Sequence, residues 1–71
     1  MKPQTIHVEI NDGECGLFYG TSPDLKGLLI AEPTSDDVLR AAPRVIADMF
    51  LAAGVDEVQI ISIRDNVFIA R

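Results

Sequence analysis

The stretch TSPDLKGLLIAEPTSDDVL, Thr21–Leu39, constrains the fold more than any other part of the chain. It sets a loop, a short apolar run and a helix start in direct succession, so the backbone has to turn a corner here. Pro23 fixes φ, Asp24 offers a side-chain acceptor and Gly27 admits positive φ, which together predict a loop at Pro23–Gly27. Leu28–Ala31 is apolar throughout and reads as a short strand. Thr34 followed by Asp37 has the capping-box spacing. In that motif the hydroxyl takes an orphan helix N–H, and the carboxylate reaches back to the N–H of the threonine.

Before the corner, Thr5–Ile10 alternates, with Ile6, Val8 and Ile10 on one face and Thr5, His7 and Glu9 on the other. That is the pattern of a strand buried on one side. Asn11–Glu14 predicts a hairpin connection around Gly13, and Cys15–Ser22 a returning strand. Phe18 and Tyr19 fall on its opposite faces, and Gly16 and Gly20 mark places where another group comes close.

After the corner, a helix is predicted from Thr34 or Ser35 to Ala53, with Gly54 as its C′ residue. Val38, Ala42, Val45, Ile46, Met49 and Ala53 form its apolar stripe, with Leu39 and Phe50 at the margin. Asp37, Arg40, Arg44 and Asp48 lie opposite, and Leu51 falls among them and is expected to be exposed. Pro43 has no N–H for the Leu39 carbonyl and its ring collides with that carbonyl, so the helix is expected to bend or divide there. Val58–Ile63 reads as a strand, Asp65-Asn66 as a two-residue turn and Val67–Ala70 as a strand able to fold back.

The expected architecture is α+β, β-β-β-α-β with the option of a last strand, in one domain over residues 1–71. One helix packs on one face of a mixed sheet, reached by a right-handed crossover to a parallel fourth strand. A chain of 71 residues has no room for a second core and lies near the lower limit for folding alone. One helix covers one sheet face, so the residues on both faces of the second and third strands predict a two-fold homodimer. Phe18, Leu28 and Ile30, or their neighbours Tyr19 and Leu29, are its expected contacts.

The net charge of −5 opposes phosphate binding, and the six basic residues are spread along the sequence without forming a patch. Direct nucleic-acid binding is therefore not expected. No apolar run reaches the length of a membrane span, and no signal peptide is evident. Cys15 is the only cysteine, which suits a reducing, cytoplasmic setting.

Chemistry-bearing groups are few. His7 has neither a second histidine nor a spaced cysteine to complete a metal site. Cys15 has no cationic neighbour in sequence to hold a thiolate. Asp36-Asp37 fits the positive end of a helix dipole better than a carboxylate pair for acid–base work. No phosphate loop, dinucleotide fingerprint or nucleophile elbow is present, so neither an enzyme nor a cofactor is expected.

Pro23, Asp24, Leu25, Gly27, Leu28, Glu32, Thr34, Asp37 and Leu39 fall on the P-D-L-P-G-hydrophobic, acid, T-x-x-acid-hydrophobic signature of the HicB-like antitoxin superfamily, which this stretch resembles. PRVIADMFLAAG, Pro43–Gly54, resembles the small stand-alone branch, known mostly as a domain of unknown function. Lys26 departs from the proline common there, and no DNA-binding segment is expected after the domain.

The resemblance implies a partial ribonuclease-H-like fold without catalytic carboxylates. It also implies a protein-binding module that masks a small basic ribonuclease toxin. Asp24, Leu25, Glu32, Asp36 and Asp37 are the expected contact residues for that partner. The competing expectation is a stand-alone structural or regulatory module that binds another protein or a small ligand.

Overall fold

The alternation of the first strand is realised in the core, where Ile6 and Val8 are fully buried and Ile10 packs beside them. The computed structural model describes residues 2–71. Its elements are β1 (Gln4–His7), β2 (Glu9–Asp12), β3 (Phe18–Thr21), β4 (Ile30–Glu32), α1 (Ser35–Ala52), β5 (Ile60–Arg64) and β6 (Val67–Ala70). They form an α+β fold of two three-stranded sheets, ordered β1-β6-β5 and β2-β3-β4, with one helix.

The sheets meet at Val8, the residue between β1 and β2. Its N–H donates to the Asn66 carbonyl at 2.8 Å, and Asn66 Nδ2 donates to its carbonyl at 3.0 Å. The N–H of the preceding His7 donates instead to Asp24 Oδ2 at 2.8 Å. Successive N–H groups of a strand point to opposite edges, so β6 and β3 flank this backbone on opposite sides. The single strand expected over Thr5–Ile10 is thus shared by both sheets.

Cross-strand pairs then fix which residues point inward. Ile6 lies opposite Phe68, and Ile10, Gly20 and Ile30 form a ladder across β2, β3 and β4. From α1, Val38, Ala42, Ile46 and Phe50 complete one continuous core. The helix comes close because Gly20 has no side chain: a Cβ there would stand 2.6 Å from Val38 Cγ1.

The helix ends match their chemistry. Thr34 Oγ1 accepts from the Asp37 N–H at 3.1 Å. At the other end, Val55 donates to the Phe50 carbonyl and Gly54, at φ 88°, to the Leu51 carbonyl. This is the Schellman arrangement, which satisfies carbonyls that the helix leaves without donors.

Several expectations are corrected. Among the described residues every strand pairing is antiparallel, so the mixed sheet and its parallel fourth strand do not form. The Asp65-Asn66 turn folds β6 back between β1 and β5, and β5 is left at the outer edge.

The first hairpin turns later than expected. Asn11 and Asp12 belong to β2, the connection is 13–17, and the positive φ values fall at Cys15 and Gly16. Gly13 serves another purpose, since a Cβ there would fall inside the Tyr19 ring. The third strand begins at Ile30, not Leu28.

The helix runs through Pro43 without dividing. Proline in a helix interior costs about 3 kcal/mol, whereas burying Val38, Ile46 and Phe50 on one continuous stripe contributes about 1.5–3 kcal/mol each. Phe50 lies in the core, not at its margin, while Val45 and Met49 flank it and Ala53 is exposed. An aromatic ring has the most apolar area to remove from water, so it takes the covered position. Only half of the capping box is made, because Asp37 Oδ1 faces Arg40 Nη1 at 3.5 Å.

Candidate functional site

The corner stretch is held in place by Asp24. Its Oδ2 accepts from the His7 backbone N–H and meets His7 Nδ1, both at 2.8 Å. The backbone of the same residue is also engaged: its carbonyl accepts from Gln4 Nε2 at 3.2 Å and its N–H donates to Ser22 Oγ at 3.1 Å. The carboxylate occupies the edge position that β3 vacates after Thr21, and so stands in for a strand partner of His7. The bond from the His7 backbone, then that from its ring, holds the Asp24 carboxyl below the usual carboxylate range.

Asp24 and its neighbours do not form a nucleophilic triad. Ser22 Oγ is turned to the Asp24 backbone, and the imidazole meets the carboxylate on an exposed surface. What the geometry supplies is a latch that ties the loop to β1.

The other expected partner contacts differ in setting. Leu25 packs against the core. Glu32 and Asp37 line an open groove together with Arg40, Ala41 and Arg44, and of the two acids Asp37 is the one paired, to Arg40 at 3.5 Å. Asp36 is exposed at the start of α1.

The expected subunit contacts differ as well. Leu28 and Ile30 are only 4% exposed and fill the core of a single chain, which removes them from any contact between copies. Phe18 packs at the core margin and Tyr19 lies over Gly13. Leu29 is 64% exposed and stays available.

Two features escaped the sequence reading. The first is a clustering of cations: Arg40 and Arg44 line the first groove, and Arg40 and Arg64 a second one with Leu39, Pro43, Ser62, Ile63, Asp65 and Phe68. Half of the basic residues, spread in sequence, are thereby brought to one side of the helix. The second is the outer face of the β1-β6-β5 sheet. Phe68 and Ala70 point into the core, so Val67 and Ile69 point away from it, and Ile61 lies opposite Ile69. The signal was present in VFIA, a run apolar at every position.

Cys15 is exposed at the hairpin tip. Among the described residues no group of three or more His, Cys, Asp or Glu lies together, and no helix is long and apolar enough to cross a membrane. Compared with known proteins, the chain matches no family model, no curated protein and no solved structure.

Proposed function

We propose that this chain is a non-enzymatic, cytoplasmic protein-binding module of the HicB-like antitoxin kind, which works by covering the RNA-binding surface of a small basic ribonuclease. The observation that carries the reading is Leu29. It is a large apolar side chain left 64% exposed between the latched loop and the edge strand β4. Glu32 and the exposed Asp36 follow it in the same corner. An apolar anchor beside carboxylates, on backbone held still by Asp24, suits a cationic protein surface. In this reading β6 is an addition to the family order β-β-β-α-β. Asp24 is a positioning residue, and the contact residues narrow to Leu29, Glu32 and Asp36.

The groove of Glu32, Asp37, Arg40 and Arg44 supports the alternative of a stand-alone module, because paired charges of both signs suit a small zwitterionic ligand.

Purification from the native cell with identification of co-eluting chains separates the two readings. A small basic protein should co-purify, and Leu29→Ala should weaken its binding about tenfold or more, the loss typical of an interface hot spot. Glu32→Lys with Asp36→Lys should weaken it further and flatten its salt dependence. Undiminished binding by Leu29→Ala would refute the assignment of this corner.

A further inference from the structure

The geometry points to a second copy of this chain as the occupant of the free edge of β5, paired antiparallel so that two sheets join as β1-β6-β5-β5-β6-β1. This contact lies away from the corner proposed for the basic partner and does not depend on that reading. Gln59 exchanges both backbone hydrogen bonds with Arg71, at 2.6 and 2.9 Å, and therefore faces β6. The next residues alternate, so the backbone groups of Ile60 and Ser62 point to the open edge.

Natural edges are usually blunted by proline, lysine or an irregularity. Here IISIR has neither residue, and the one irregularity, the register slip between Ser62 and Arg64, blunts the far end of the strand and leaves the segment before it open to pairing.

Charge selects the occupant. Asp56 and Glu57 precede the strand and Arg64 ends it, so the segment is acidic at its start and basic at its end. A second copy running antiparallel sets the acids of each chain against Arg64 of the other, with Asp65 beyond the pairing at the hairpin tip. A parallel partner in register would set Asp56 and Glu57 against their own copies. The apolar, uncharged outer residues Ile61, Val67 and Ile69 then continue across the joint and add no like charge to it.

The test is sedimentation equilibrium across the micromolar range, with amide hydrogen exchange at low and high protein concentration. Arg64→Glu should weaken dimerisation about tenfold or more, and Asp56→Lys with Glu57→Lys likewise, while all three changes together restore it. All three residues are exposed, so urea midpoints measured on dilute monomer should stay unchanged and exclude a folding defect. The Ile60 and Ser62 amides should gain protection only as the dimer forms. A chain that stays monomeric, dimers indifferent to the charge changes, or protection of those amides independent of concentration would each overturn the proposal.

Discussion

Replacing Gly20 by alanine tests the closest contact between helix and sheet. The new Cβ would lie 2.6 Å from Val38 Cγ1, 3.4 Å from Val8 Cγ1 and 3.6 Å from the Ile30 Cβ. Carbon atoms pack best at about 3.5–4.0 Å, so the overlap with Val38 is on the order of 1 Å. Val38 has little freedom to step aside, because a β-branched side chain in a helix keeps essentially one χ1 rotamer. The first turn of α1 must lift from β3 instead. Overpacking of this kind costs about 1–3 kcal/mol. Relief of glycine's backbone entropy in a strand returns about 0.5–1 kcal/mol. Taking the middle of both ranges, the expected net loss is about 1 kcal/mol, and Tm falls by roughly 4–8 °C per kcal/mol for a domain of this size.

Val38→Ala supplies the control. Alone it removes two buried methyl groups, at about 0.8 kcal/mol each before any cavity term. Combined with Gly20→Ala, the added methyl enters the space that Val38 leaves, so the double variant should lose less than the sum by about 1 kcal/mol. Urea unfolding of the three variants at one protein concentration measures this, with m-values unchanged if the end states are the same. Gly20→Ala as stable as the parent, or strictly additive losses, would refute the close-packing account.

The Asp24 latch and Pro43 give two further tests. Because the folded Asp24 carboxyl titrates below its ordinary 3.8, the unfolded chain binds the proton first as pH falls. The stabilisation from the latch is therefore complete above about the ordinary carboxylate range and is lost as pH drops through the lowered folded value; Asp24→Asn should flatten the acid limb of a stability–pH profile. An unchanged acid limb would mean that the latch contributes nothing. Pro43→Ala should stabilise the chain by about 1–2 kcal/mol in urea, since it restores an N–H to the Leu39 carbonyl and loses part of that gain to a more flexible unfolded state. A loss of stability would show that packing of the half-buried ring in its groove with Phe68 outweighs the missing hydrogen bond.

Much of the local structure was legible because it depends on neighbours in sequence. Thr34, Gly54 and the stripe of Val38, Ala42 and Ile46 each act within a turn or two of their own backbone, and each does in the structure what its residue type favours. Glycine was less readable. Gly13, Gly16 and Gly20 look alike in a sequence, yet Gly13 makes room for the Tyr19 ring, Gly16 takes φ 73° in a turn and Gly20 admits a helix. Two of those three roles exist only once the strands are paired, and reading Gly13 as the turn residue displaced the first hairpin.

Asp24 shows the same limit at the candidate site. Its turn role could be read from Pro23 and Gly27, but its partner His7 lies 17 residues away and is reached only because β3 ends where it does. Once the latch forms, Asp24 is no longer a free acid waiting for a cation. The outer face of β6 was hidden for a related reason. A strand apolar at every position has the composition of one buried on both sides, and only the sheet order reveals that Phe68 and Ala70 enter the core while Val67 and Ile69 are left half-buried on the outer face. Phe18 and Tyr19, on opposite faces of one strand, suggest a helix on one face and a second copy on the other. The physical basis for a second copy applies more strongly to Ile61, Val67 and Ile69, because Tyr19 already has Gly13 beneath it, whereas these three stay half-buried on a face that the core does not occupy.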